Sequence, residues 1–91
     1  MIETPYRIDM KRKVEKTAAK MPRAMQERLA VLIDDLQEKG PILSDWPNFS
    51  SLGKDKYHCH LGYKWVACWR WEEGTIIIEV YYAGSRENAP Y

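Results

Sequence analysis

Two imidazoles, a guanidinium and a phenol mark the last third of this sequence. In KYHCHL, His58 and His60 are separated by one residue, and the run they open ends in SRENAPY, with Arg86 and Tyr91. A strand rises about 3.3 Å per residue, so His58 and His60 leave one face roughly 7 Å apart, while Tyr57, Cys59 and Leu61 leave the other. Imidazole titrates near neutrality and can take or give a proton at pH 7. A guanidinium holds phosphate oxygens in bidentate fashion, and a phenol can hydrogen-bond or stack. Together these groups suit cleavage of an RNA phosphodiester. A base removes the ribose 2′-hydroxyl proton and the freed oxygen attacks the adjacent phosphorus in line. A cation stabilises the crowded oxyanion, and an acid protonates the departing 5′-oxygen. That reaction requires no cofactor.

Two other uses of the histidines compete with this one. As a metal site, His-x-His supplies two ligands, but Cys59 points the wrong way and no second Cys, His or Asp cluster has ligand spacing. Glu79 and Glu87 are only distant candidates, so no metal is expected. A purely structural role is the stronger competitor, since paired histidines on a solvent-facing strand need no function. The C-terminal Arg86 and Tyr91 tip the balance, provided the fold brings them to the same surface.

The elements that must do so are legible as patterns. In PYRIDM, Tyr6, Ile8 and Met10 alternate with Arg7 and Asp9, the period-two signature of a strand. Next, Met21, Met25, Leu29, Leu32 and Leu36 recur at spacings of three and four, which lays an apolar stripe along a helix. Pro22 suits a first helical turn and Gly40-Pro41 a stop, predicting helices near residues 11–20 and 22–39 arranged as a hairpin. PILSDWPNFSSLGKDK reads as a loop, with Leu43, Trp46 and Phe49 tucked back onto the domain. KYHCHL, YKWVACWRW and TIIIEVYYA then read as three antiparallel strands. In the middle one, the tryptophan set is expected to pack. In the last, Ile76, Ile78, Val80 and Tyr82 form the expected core face.

The chain has 91 residues, which bounds it to one domain, 1–91, with a modest core. No apolar run approaches the roughly 20 residues of a membrane span, and MIETPYRIDMKRK lacks the apolar segment of a signal peptide. A cytoplasmic, reducing location follows, in which Cys59 and Cys68 serve as small buried apolar residues. Formal net charge is only +1, yet Arg7, Lys11, Arg12, Lys13, Lys16, Lys20, Arg23 and Arg28 face only Asp9, Glu15 and Glu27. Asp34, Asp35, Glu38 and Asp45 make the next stretch acidic. The basic end can attract polyanions, and it gains meaning only alongside a site.

The order of strand, helical hairpin and antiparallel strands, with YHCHLGYKWVACW and VYYAGSRENAPY, resembles the RelE/ParE superfamily of toxin–antitoxin toxins, in particular its RelE-like mRNA interferase branch. The resemblance implies an α+β fold: an N-terminal strand, a helical hairpin, then an antiparallel meander with the helices on one face of the sheet. It implies a ribosome-associated endoribonuclease that inhibits translation. His58 and His60 match the family's alternating basic positions, Arg86 its C-terminal Arg and Tyr91 its Tyr. Lys64 is matched to a middle-strand Arg, and a one-residue shift would put Trp65 there instead. On this match Arg86 stabilises the phosphorane, His60 transfers protons with His58 assisting, and Tyr91 stacks on a base or orients the attacking hydroxyl. RNA contact falls to Lys56 and Lys64, with ribosomal RNA on the patch of Lys11, Arg12, Lys13, Lys16 and Lys20. The implied partners are a cognate antitoxin, mRNA and the ribosome, with operator DNA reached only through the antitoxin and no membrane. His in place of the family's Lys suggests acid–base work closer to neutrality. A ParE-like gyrase inhibitor and an inert antitoxin-binding relative share the same fold and stay open.

Overall fold

The alternation in PYRIDM folds as β1 (Arg7–Asp9), with Tyr6, Ile8 and Met10 half-buried against the core. The computed structural model describes residues 5–91; residues 1–4 of the domain expected over 1–91 lie outside the described residues. The helices expected near 11–20 and 22–39 form as α1 (Arg12–Ala19) and α2 (Arg23–Lys39), separated by a tight turn, and the apolar stripe runs from Met21 in that turn along α2. Pro22 caps α2 at φ −54°, the angle its ring imposes. Gly40 ends it at φ 92°, a conformation that favours glycine, and a side chain there would also lie 3.0 Å from the Tyr6 ring. Met21, Leu29, Leu32 and Leu36 are buried and Met25 is half-buried beside them, so the stripe packs as its spacing requires.

The five-stranded sheet runs in the order β1-β5-β4-β3-β2. Its centre is the expected antiparallel meander of β3 (Lys56–Gly62), β4 (Trp65–Trp71) and β5 (Ile77–Ser85). β1 adds in parallel to the first half of β5, from Ile77 to Glu79, and α1 packs against the rest of that strand. Within the stretch read as loop, Ser50–Ser51 pair with His58 and Tyr57 as a short edge strand, β2. The loop tucks in as expected. Leu43 and Trp46 are buried, and the Phe49 ring stacks on Tyr57 at 5.9 Å. Trp46 Nε1 donates to Asp35 Oδ2 at 2.8 Å.

Strand alternation divides the sheet into two unlike faces. Towards the helices it sends Cys59, Leu61, Ala67, Trp69, Ile78, Val80 and Ala83 into one hydrophobic cluster with Leu29, Leu32 and Leu36. Trp69 is fully buried and its Nε1 donates to the Pro41 carbonyl at 3.0 Å, so the tryptophan set packs as read. The core face expected for the last strand needs correction at both ends. Ile76 precedes β5 and is 55% exposed. Trp69 pairs with Val80 and Cys68 with Tyr82, which leaves Tyr81 as an extra residue. This bulge reverses the phase of the strand, so Tyr82 goes to the far face and Ala83 takes the core position. Cys59 and Cys68 are free and buried, and burial pushes both thiols up to about 12, in keeping with small apolar residues. No helix among the described residues is long and apolar enough to cross a membrane.

Trp69 therefore carries the largest single share of the core. Trp69→Ala should cost about 3–5 kcal/mol, the usual range for removing a buried large aromatic. Urea unfolding with an unchanged slope checks this, and a loss under 1 kcal/mol would contradict the packing.

Candidate functional site

On the side away from the helices, cross-strand register writes three rows of side chains over β3, β4 and β5. They read Lys56–Arg70–Glu79, His58–Cys68–Tyr82 and His60–Val66–Gly84. Basic groups occupy β3, and Val66 and Cys68, both fully buried, form an apolar floor. The His58 and His60 ring centroids are 5.9 Å apart at an interplanar angle of 59°. The chain after β5 turns through a single 3-10 turn (Arg86–Asn88) and returns over the floor, bringing the Tyr91 ring to 4.8 Å from His58.

This return is held in place by local bonds. The Arg86 N–H donates to the Lys64 carbonyl at 2.7 Å, and Tyr82 Oη donates to the Ser85 carbonyl at 2.7 Å. Ser85 Oγ accepts from the Asn88 N–H at 3.3 Å. A Cβ at Gly84 would lie 2.9 Å from Tyr82 Oη and 3.0 Å from Thr17 Cγ2, so glycine lets α1 and Tyr82 close over this end of β5.

The segment leading into β2 orients the histidines. The His60 N–H donates to the Pro47 carbonyl at 2.8 Å, which lays residues 47–51 against β3. Ser50 Oγ then stands 3.0 Å from His58 Nδ1, and Asn48 Nδ2 lies 3.3 Å from His60 Nδ1. His58 is only 9% exposed. Burial holds its pKa below the ordinary 6.5 and the neighbouring His60 pushes the same way, while a hydrogen bond at Ser50 opposes them. His58 is thus neutral at pH 7, whereas His60 is half-exposed and open to a ligand. Burial also raises the Tyr91 phenol, assisted by Cys68 and Tyr82 and opposed by Arg86, so it remains a donor at neutral pH.

Of the residues picked out by sequence, the structure brings His58, His60 and Tyr91 into contact and sets Lys56 on the same face. Arg86 stands at the rim. It follows Gly84 of the His60 row by two residues, its Cζ lies 5.5 Å from the Tyr63 ring centroid, and with Lys64 it lines a hollow of about 520 Å³. Lys64 falls in the turn between β3 and β4, so β4 itself begins at Trp65, which packs on the helix side. The α1 patch is split. Lys11 and Lys13 line a hollow that reaches Arg70 and Tyr82, whereas Arg12 and Lys16 lie about 120–160° around the helix from Val14 and Ala18. Lys20 caps the end of α1.

One basic residue on this face, Arg70, has no part in the sequence-derived site. Its Nε lies 3.3 Å from Glu79 Oε1, and its Cζ stands 4.7 Å from the Tyr81 ring centroid. Hairpin register alone does not reveal it: a turn at Tyr63-Lys64 pairs Gly62 with Trp65, and only the register shift between His60 and Gly62 brings Arg70 rather than Trp71 opposite Lys56. Among the described residues, no group of three or more His, Cys, Asp or Glu is placed to hold a metal.

No protein-family model and no curated protein sequence matches the chain. Solved structures do. The archaeal RelE–RelB complex from Pyrococcus horikoshii OT3 matches with a TM-score of 0.73 at 18% identity, over 93% of this chain and 99% of that one. A mutant of the E. coli toxin RelE in the free state gives 0.71 at 16% identity, over 93% and 87%. The YoeB–YefM complex from Staphylococcus aureus gives 0.69 at 8% identity, over 89% and 97%. The chain has a RelE-like fold, and at these identities the likeness is one of fold.

The buried His58 makes a pH prediction. A histidine with a lowered folded pKa binds fewer protons folded than unfolded, so its contribution to stability is present above about pH 6.5 and is lost as pH falls through the folded value. In a ring-resolved NMR titration His58 should protonate below 6.5, and a midpoint above that would contradict its burial.

Proposed function

We propose that this chain is a RelE-like endoribonuclease toxin of a type II toxin–antitoxin system, acting in the cytoplasm on mRNA at the ribosome. One observation carries the reading. Lys56, His58 and His60 alternate on a single sheet face, with Tyr91 packed 4.8 Å from His58 and Arg86 at the rim. The fold alone would serve unrelated activities. Clustered imidazoles, by contrast, have no task in a gyrase-directed toxin, and they favour the ribonuclease.

In this reading His60, the more accessible imidazole, takes the 2′-hydroxyl proton, and the freed oxygen attacks phosphorus. Arg86 swings from Tyr63 to neutralise the phosphoryl oxygens as charge builds on them. Neutral His58 supports the reacting group by hydrogen bonding, and Tyr91 stacks on a base or orients the hydroxyl. The departing 5′-oxygen takes up a proton from water, and the His60 imidazolium returns its own to solvent, leaving a 2′,3′-cyclic phosphate and a free 5′-hydroxyl. Single-turnover cleavage on programmed ribosomes tests the assignment. His60→Ala should lose about 100- to 10,000-fold and Arg86→Ala about 100- to 1,000-fold, each with unfolding behaviour unchanged. Wild-type rates in both would return the histidines to a structural role.

The proposal extends to a partner, since two of the similar structures are toxins solved with RelB and YefM. Expression of this chain alone should be toxic, and co-expression with the product of a neighbouring gene should relieve it. Harmless high-level expression of folded protein would count against the toxin reading.

A further inference from the structure

A second concavity opens on the histidine side of the sheet, between α1 and β5. It encloses about 450 Å³, within the range of roughly 300–1,000 Å³ that small-ligand sites occupy. α1 supplies Lys11, Lys13 and Thr17, the sheet supplies Tyr81 and Tyr82, and the returning tail supplies Pro90. We propose that this hollow is a nucleotide subsite, holding one unpaired nucleotide of the RNA beside the scissile bond; the proposal rests on the ribonuclease reading and deepens it.

Charge is the first argument. Three cations, Lys11, Lys13 and Arg70, line the hollow against one carboxylate, Glu79. Glu79 is already engaged by Arg70 at 3.3 Å and by Lys11 at 3.9 Å, while Lys13 makes no ion pair among the described residues. The net charge suits a phosphate, and Lys13 is the group free to meet it. The apolar wall is the second argument. Tyr82 is held by its bond to the Ser85 carbonyl, and with Val14 and Pro90 it offers a fixed surface to the face of a base. Bases splayed out of a single strand are bound in this way, by stacking on aromatic side chains above a basic groove.

Continuity with the histidines is the third. Tyr82 belongs to the His58–Cys68–Tyr82 row, two strands away from His58 and so about 10 Å across the sheet. Pro90, on the wall of the hollow, directly precedes Tyr91, which packs on His58. A short stretch of single strand can therefore occupy both places. Lys11 and Lys13 then serve the substrate strand, separately from Arg12 and Lys16 on the outer side of α1.

Amide NMR of the full chain, with adenosine 5′-monophosphate and with a fully 2′-O-methylated trinucleotide that cannot be cleaved, tests the subsite. Both probes should shift Lys13, Thr17, Tyr82 and Ala83. Thr17→Trp, which fills the hollow, should weaken binding about tenfold or more. Lys13→Glu should weaken it too, and Lys13→Ala should reduce the salt dependence of trinucleotide binding by about 0.7 in log–log slope. Lys13 is exposed, so its variants remain informative if Thr17→Trp fails to fold. Shifts confined to other residues, or unchanged affinity in the Lys13 variants, overturn the proposal. A Lys13→Glu protein that loses antitoxin binding while keeping nucleotide binding overturns it as well, and assigns the hollow to a protein partner. The two readings fail separately. Binding with these shifts by a protein that cuts no RNA sinks the ribonuclease alone, whereas cleavage by Lys13→Glu at wild-type kcat and KM sinks the subsite alone.

Discussion

Everything on the histidine face depends on the register of β4 between β3 and β5. Its alternation sends Ala67 and Trp69 into the helix-covered core and Val66 and Cys68 to the opposite floor, with all four buried. A slip of one residue would exchange the two sets, driving Trp69 into the site and Arg70 into the core. Trp69 guards against that slip, since its volume fits only the helix side and its indole N–H finds the Pro41 carbonyl there. Because β3 pairs with this strand, the same anchor fixes which way His58 and His60 point.

The bulge at Tyr81 solves a problem that strict alternation would create. Had β5 kept its phase, Tyr82 would enter the core and Ala83 would lie on the site face. The extra residue turns the second half of the strand over, so the small Ala83 packs inward and two tyrosines come outward. It also coincides with a change of neighbour. Before the bulge β5 is flanked by β1, and beyond it the strand packs against α1. A free strand edge invites pairing with other chains, and here parallel β1 and then a helix cover it in succession. The hollow beside α1 is a by-product of that handover, since a helix cannot follow a sheet edge as closely as a strand can.

Sequence patterns carried the element types and much of the core because periodicity reports burial directly. Tyr6, Ile8 and Met10, the α2 stripe and the β4 tryptophans all pack where their spacing put them. The shared face of His58 and His60 was legible for the same reason, since it is a property of one strand. What escaped were relations between strands. Parity within TIIIEVYYA gives no sign of an inserted residue, and strict alternation puts Tyr82 on the wrong face. Ser50 and Ser51 are ordinary loop residues until β3 lies beside them. Arg70 joins Lys56 only through the register shift between His60 and Gly62, and the alternation of YKWVACWRW takes Lys64 into a strand that starts one residue later. The return of Tyr91 onto His58 is a tertiary event that only the placement of Arg86 and Tyr91 after a core strand foreshadowed.

With a net charge of only +1, any cationic surface depends on where the fold sets individual charges. Lys56 shares the β3 face with the histidines, but the hollow it lines with Lys54 and Arg70 also holds Asp9, Asp55, Glu72 and Glu79, so cations and carboxylates interleave at that end of the sheet. Lys11, Lys13 and Arg70 outnumber Glu79 in the hollow beside α1, so a local excess of positive charge lies there rather than over the whole face. On that face the two imidazoles differ. His58 is held neutral by burial beneath Tyr91, which frees the nearby cations from competing with a fixed imidazolium. In the proposed ribonuclease, phosphate binding then falls to groups that are always charged, Arg86 and Lys56, and the half-exposed His60 is the imidazole left to exchange protons. Lysines alone could bind the strand equally well. In the proposed reaction imidazoles, rather than lysines, are what would let this face move a proton, and the difference in burial favours the more accessible His60.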